Sequence, residues 1–201
     1  MESHVRPGGV TYNPVLAPCG QRGGPGIMAN QSKLSHAHGG DGARTSAGDI
    51  SARDVELTDA TGRVGAEDLR WIGTHAHAAL AALGLAGVVR VKVIDDAEMT
   101  SAHAEFLDDP TTTDVLTFDM SEDGVLDVDI LVCLDVAERQ GRDRGHAARR
   151  ELLLYIVHGV LHCAGYDDHD EESCRRMHAR EDEVLALIGA GATYQGERDE
   201  P

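Results

Sequence analysis

Aromatic side chains are scarce in this sequence: 3% of its 201 residues, namely two Phe, one Trp and four Tyr. A core must therefore be built mainly from Leu, Val, Ile and Ala, and an apolar fraction of 41% is enough for one domain of this length. No apolar run reaches the roughly 20 residues that a membrane-spanning helix needs. The first residues also lack the charged and then apolar pattern of an export signal, so we expect neither a membrane span nor export.

Positive charge is scarce as well. Lys33 and Lys92 are the only lysines, and the formal net charge is −17, with a pI near 4.9. Such an acidic chain is not a nucleic-acid binder by its bulk charge, because phosphate binding depends on Lys and Arg. Arginines are nevertheless concentrated before and within one predicted helix, at Arg139, Arg142, Arg144, Arg149 and Arg150. This cluster is either a solvated helix face or a local site for a polyanion.

The four cysteines have no CxxC spacing, so the sequence does not indicate a disulfide framework. Cys133 and Cys163 lie within apolar runs, and we predict that both are buried free thiols. This usage is typical of a reducing compartment, and we expect the protein in the cytoplasm.

Apolar periodicity predicts an α+β domain over residues 49–190, with a small mixed sheet of about four strands packed against about five helices. The strands are predicted at 50–57, 88–94, 114–120 and 125–134, and the helices at 66–83, 95–107, 136–144, 147–164 and 171–188. The short turn at 121–124 predicts an antiparallel pair. Asp135 and one of Asp95 or Asp96 are predicted helix N-caps. Residues 1–48 are predicted to be a disordered extension, and 191–201 a polar tail.

Residues 154–170 carry the side chains best suited to chemistry. His158 and His162 are four residues apart in an apolar run, so a helix places both imidazoles on one face. Gly165 then ends the helix. The turn that follows supplies three more candidate ligands, Asp167, Asp168 and His169. Two imidazoles and a third ligand leave one coordination position open, which is the catalytic pattern for zinc, whereas the alternative is a pair of core histidines bonded to backbone carbonyls.

This stretch resembles the signature H-G-x-L-H-x-x-G-Y-D-H of the YbeY family of bacterial endoribonucleases. It stands here as His158-Gly159-Val160-Leu161-His162-Cys163-Ala164-Gly165-Tyr166-Asp167-Asp168. A second family element, P-T-[DN]-V-L-[ST]-F, is similar to residues 112–118, with Thr112 in place of the proline. A third, G-D-I, is similar to residues 128–130, with Val128 in place of the glycine. The resemblance covers about residues 88–188.

The resemblance implies a zinc-dependent, single-strand-specific endoribonuclease of the cytoplasm. It implies a role in the maturation of small-subunit ribosomal RNA and in ribosome quality control, with ribosomal RNA and ribosomal particles as partners. The family holds its metal with three histidines, but Asp168 stands at the third position here. Beside His158 and His162, the third zinc ligand is therefore Asp168 in register, or His169 after a one-residue adjustment of the loop. The family also carries an arginine where this chain has Leu107.

Further roles follow from this site. We expect His158 and His162 to hold the catalytic metal. Asp167, or whichever of Asp168 and His169 is not a ligand, is expected to move protons. Arg144 and Arg149 are candidates to bind RNA, and together with Arg150 they are candidates to replace the missing arginine. Asp114 is a candidate to line the RNA groove, with loop capping as its alternative role.

Two other functions compete with RNA cleavage. A zinc protease of the His-Glu-x-x-His type needs a glutamate as general base, and Gly159 occupies that position here. A ribosome-assembly factor with a structural metal and no catalysis is the other alternative, and the missing arginine and the acidic composition favour it.

Overall fold

The computed structural model describes residues 53–194. Five helices and four strands lie in this range, in the order β1 (Arg53–Asp59), α1 (Ala66–Leu83), β2 (Gly87–Ile94), α2 (Asp96–Leu107), β3 (Val115–Asp119), β4 (Leu126–Cys133), α3 (Leu134–Arg144), α4 (Ala148–Cys163) and α5 (Glu171–Leu187). The α+β prediction is confirmed, and every predicted element is present with its bounds shifted by a few residues at most. The predicted N-terminal extension, 1–48, and residues 195–201 of the predicted tail lie outside the described residues.

The four strands form one mixed sheet in the order β1-β2-β4-β3. β1 pairs with β2 and β2 with β4 in parallel, and α1 and α2 lie between these strands in the chain. β3 pairs with β4 in antiparallel register, with Val115 opposite Val132 and Asp119 opposite Val128. This antiparallel pairing confirms the predicted hairpin, and it is the pairing that a short turn allows.

The sheet buries apolar side chains on both faces. One face, with Val91, Val128 and Val132, packs in a core with α1, α4 and α5. The alternate residues of β3 and β4, such as Leu116 and Cys133, form a smaller second core with α2. This division follows from the period of two in a strand, which sends successive side chains to opposite faces.

Helix α4 is the centre of the larger core. Every residue from Glu151 to Leu161 is buried, because the helix is enclosed by the sheet, α1, α3 and α5. The apolar run of α4 is nevertheless short, and across residues 53–194 no helix has the length and apolarity to cross a membrane.

Gly159 permits the closest approach of α4 to the sheet. A Cβ at this position would lie 2.5 Å from Thr117 Oγ1 and 3.3 Å from Ile130 Cδ1. The first distance is shorter than real Cβ contacts, so any larger residue at 159 must displace β3 or rotate a threonine that is 1% exposed. The glycine therefore fixes the spacing between the sheet and the helix that carries the two histidines.

Gly159→Ala is expected to lower the free energy of unfolding by about 1–2 kcal/mol, because overpacking outweighs the helix propensity gained from alanine. Gly73→Ala is the matched control, since a Cβ at Gly73 in α1 meets nothing within 4 Å. That variant should be more stable than the wild type by up to about 1 kcal/mol. Urea denaturation of both variants measures the difference. Equal changes in the two variants would contradict the close approach at Gly159.

The predicted cap at Asp135 is wrong. Strand β4 passes into α3 without a loop, so Cys133 is the N-cap residue and makes no side-chain cap. Asp135 lies in the first turn, where its carboxylate accepts a hydrogen bond from the Asp96 backbone N–H (2.8 Å) and pairs with Arg63 (2.8 Å). The cap of α2 is Asp95, which accepts from the Glu98 N–H (2.8 Å).

Cys133 and Cys163 are free thiols, as predicted. Cys133 is buried, whereas Cys163 is half-buried. Burial raises the pKa of both thiols to about 12, so neither is a thiolate at neutral pH or a reactive nucleophile.

Candidate metal centre

His158 and His162 face each other on the buried side of α4. Their ring centroids are 4.6 Å apart at an interplanar angle of 76°, and the two Nε2 atoms are 3.1 Å apart. Two nitrogen ligands of one tetrahedral zinc ion, each about 2.0–2.1 Å from the metal, lie about 3.3 Å apart. The imidazoles therefore have the spacing and direction of two ligands that share one ion.

The turn after α4 brings in a carboxylate. Gly165 has a φ of +90°, a conformation that only glycine adopts without strain, and the Tyr166 N–H donates to the Leu161 carbonyl (3.0 Å). The chain then returns so that Asp168 Oδ1 lies 3.8 Å from His162 Nε2. Asp168 is 3% exposed. One ligand atom from each of these three side chains, His158, His162 and Asp168, lies within 4.8 Å of the others.

His169 is on the outer side of the same turn. Its side chain is 66% exposed, and its Nδ1 contacts the carboxylate of Asp167, which is 55% exposed. Asp167 also accepts a hydrogen bond from the Asp168 N–H (2.7 Å). Its slight burial works to raise the pKa of Asp167, but the His169 contact and the backbone N–H groups of Asp168 and His169 lower it overall. Asp167, Asp168 and His169 form a second, more exposed group of candidate ligands.

A third carboxylate, not identified from the sequence, contacts His158 on the side of the ring away from His162. Glu181 of α5 is fully buried, and its Oε1 lies 2.6 Å from His158 Nδ1. A sequence signal was present: Glu181 follows the apolar Met177 by four residues and precedes Leu185 by four, so it lies on the apolar face of its helix. A charged residue on such a face needs a partner, and His158 is that partner.

The two imidazoles differ in their electrostatic surroundings. Burial works to lower the pKa of His158, but its hydrogen bond to Glu181 and the charges of Glu181, Asp114 and Asp168 raise it overall. Burial, together with the nearby His158, lowers the pKa of His162 to about 3. His162 is therefore neutral at physiological pH and offers a lone pair, which is the form that binds a metal.

Asp114 lies inside the protein. It is 5% exposed, and its Oδ1 accepts hydrogen bonds from Thr113 Oγ1 (3.1 Å) and the Val115 N–H (2.9 Å). Burial raises its pKa, although the charge of His158 and the local hydrogen bonds oppose that rise. These contacts match the loop-capping alternative for Asp114.

Neither predicted RNA-binding arginine is brought next to the two histidines. Arg144 pairs with the buried Glu151 (2.8 Å), which precedes His158 by seven residues, about 10 Å along α4. Arg149 pairs with Asp68 (2.9 Å) and lies over the ring of Trp71, with its Cζ 4.8 Å from the centroid. Leu107, at the position of the family arginine, is buried in the second core.

The donor set fits a divalent cation. Two imidazole nitrogens and one carboxylate oxygen form a three-ligand set of the kind that binds zinc in hydrolases. A carboxylate behind one imidazole is the usual outer partner of a metal-bound histidine. His158, His162 and Asp168 are therefore the residues that can hold the ion.

Sequence comparisons with known proteins agree on one family. The family model described as Endoribonuclease YbeY matches residues 62–189. The Endoribonuclease YbeY of Bacillus licheniformis is 32% identical over 149 residues, 67% of this chain and 94% of that protein. The one from Carboxydothermus hydrogenoformans is 35% identical over 108 residues, 53% of this chain and 76% of that protein. The solution structure of TM1509 from Thermotoga maritima has a TM-score of 0.49 and 22% identity, and covers 73% of this chain and 99% of that one.

The matching family model and the two sequence relatives are named as endoribonucleases, which are hydrolases that cut RNA. The chain belongs to the YbeY family of these enzymes. The family resemblance of residues 88–188 is thereby confirmed, and the matched region extends it to residues 62–189.

Proposed function

We propose that the protein is a zinc-dependent endoribonuclease that cuts single-stranded RNA during maturation of small-subunit ribosomal RNA and in ribosome quality control, in the cytoplasm. The observation that carries the metal dependence is the convergence of His158 Nε2, His162 Nε2 and Asp168 on one point in a chain of an endoribonuclease family. The RNA substrate follows from the family, and ribosomal RNA and ribosomal particles are the partners we propose.

We assign separate roles to the residues of the site. His158, His162 and Asp168 hold the ion, which supplies a Lewis acid that acidifies water and polarises a phosphoryl oxygen. Asp167, with His169 against its carboxylate on the exposed side of the turn, accepts and returns the proton. Arg149, whose side chain is 35% exposed, is the arginine we assign to the RNA phosphates. Arg144 and Asp114 are held by internal partners, and we assign them to supporting the site.

The test is cleavage of a labelled single-stranded RNA from the small-subunit ribosomal RNA, beside its duplex form, by the zinc-loaded full chain. We expect the single strand to be cut and the duplex spared, with activity lost on chelation and restored by zinc. His162→Ala should be inactive, because one of three ligands is gone. His77→Ala is the matched control, since His77 is an exposed histidine of α1 and should leave cleavage unchanged.

The same experiment distinguishes RNA cleavage from a second candidate function. A ribosome-assembly factor with a structural metal would bind ribosomal particles and zinc but would never cut either RNA. That result would contradict the catalytic proposal. A protease is disfavoured by structure as well as by sequence, because position 159 faces Thr117 in the interior and has no room for a general base.

A further inference from the structure

We propose that Glu181 is a positioning residue of the metal centre, which fixes His158 in the tautomer that carries its proton on Nδ1 and directs its Nε2 lone pair at the ion. The inference rests on the metal centre of the proposed function and deepens it, because it assigns a role to a residue of α5 that supplies no ligand. It concerns how tightly and in which orientation the ion is held.

The geometry of the contact carries the first step. Glu181 Oε1 is 2.6 Å from His158 Nδ1, and both residues are buried, at 0% and 6% exposure. An ionised carboxylate has no hydrogen to give, so the imidazole must donate from Nδ1. In the neutral ring Nε2 is then the acceptor, and Nε2 is the atom that faces His162 Nε2 at 3.1 Å. The hydrogen bond on one side of the ring thus determines what the other side can bind.

The second observation is the charge balance around the buried carboxylate of Glu181. Glu181 Oε2 is buried and has no hydrogen-bond partner among the described residues, so the carboxylate depends on the one contact to His158. A buried carboxylate with a single hydrogen-bond partner is costly unless positive charge lies close to it. A cation held by Nε2 of the same imidazole would supply positive charge close to Glu181. Carboxylates in this position commonly orient metal-binding histidines.

The protein also fixes Glu181 itself. The next residue, Asp182, accepts hydrogen bonds from the Thr193 N–H (2.6 Å) and the Tyr194 N–H (3.0 Å). Tyr194 stacks on His178 of α5, with centroids 3.9 Å apart. Residues 193–194 are therefore bonded to the helix segment that presents Glu181. The Asp182 side chain projects about 100° around α5 from that of Glu181. Asp182 is therefore a buried carboxylate with different hydrogen-bond partners, and it is the residue for comparison.

The experiment compares Glu181→Leu, Glu181→Gln and Asp182→Asn in the full chain. Zinc affinity is measured by competition with a chromophoric chelator, and the protonated nitrogen of His158 by ¹⁵N NMR of the zinc-loaded protein. We expect zinc to bind about 10–100-fold more weakly to Glu181→Leu, with the His158 Nδ1–H signal lost or mixed. The Glu181→Gln carbonyl can still accept, so the Nδ1–H signal should persist with an affinity between the two. Asp182→Asn should lower Tm without changing zinc affinity.

The proposal is overturned if Glu181→Leu folds, binds zinc as the wild type does and keeps the same His158 tautomer. If the leucine variant does not fold, the zinc affinity of Glu181→Gln decides: an affinity equal to that of the wild type would contradict the charge balance and overturn the proposal. Equal losses of affinity in Asp182→Asn and Glu181→Leu would reduce Glu181 to a general packing role and overturn it too. A wild type that binds zinc but cuts no RNA contradicts only the catalytic proposal.

Discussion

Asp168→Ala is expected to bind zinc at least about 100-fold more weakly than the wild type, whereas His169→Ala should keep wild-type affinity. A site of this kind derives on the order of 3 kcal/mol from each ligand, and 1.4 kcal/mol is a factor of ten in Kd. Asp168 is 3% exposed, and its Oδ1 lies 3.8 Å from His162 Nε2, so it is placed to supply the third ligand. His169 is 66% exposed and contacts Asp167 instead.

The measurement is the zinc content of each variant after dialysis, followed by chelator competition for those that retain metal. The two substitutions affect neighbouring positions of one turn, so each is the control for the other. Asp168→Asn adds a sharper arm, because the amide keeps the shape but loses the charge and should still bind weakly. Retention of zinc by Asp168→Ala together with its loss from His169→Ala would show that the third ligand is His169, which would require the turn to rearrange.

Local chemistry determines most of the secondary structure, and those parts were predictable from sequence. Helix α1 has the predicted bounds, Ala66–Leu83, because its apolar residues repeat at helical spacing and Gly84 ends it. The pairing of β3 with β4 followed from the turn between them. The approach of His158 to His162 needs only the geometry of one helix, so spacing alone indicated it. The N-cap of α3 was not predictable in this way, because no loop separates that helix from β4.

Contacts between distant segments account for what the sequence left open. Glu181 and His158 are 23 residues apart on different helices, so their hydrogen bond depends on how α5 packs on α4. Arg149 pairs with Asp68, 81 residues away, and no local pattern reveals such a pair. Whether Asp168 or His169 faces the two histidines depends on the path of the turn after Gly165. The two residues are neighbours in the chain, but Asp168 is buried and His169 is exposed.

A buried ion pair at the first turn of α4 is the basis of the second prediction with a large expected effect. Glu151 is fully buried, and both its oxygens accept from Arg144 Nη1, at 3.0 and 2.8 Å. The Arg144 side chain keeps 22% of its surface in contact with solvent. The two halves of the pair are therefore unequal, because the arginine can reach water when its partner is removed, and the glutamate cannot.

Arg144→Met is expected to lower the free energy of unfolding by about 3 kcal/mol, because it removes the arginine partner of a buried carboxylate and leaves only His146, whose Nε2 lies 3.0 Å from Glu151 Oε1. Glu151→Leu should cost less, and the double variant Arg144→Met/Glu151→Leu should recover much of the loss, since a well-packed apolar pair can replace a buried ion pair. Arg175→Met removes an exposed i,i+4 pair with Glu171 and should cost under about 0.5 kcal/mol. Urea denaturation of the four variants gives the coupling energy. A double variant as unstable as the sum of the two single variants would contradict the buried pair, because independent sites simply add.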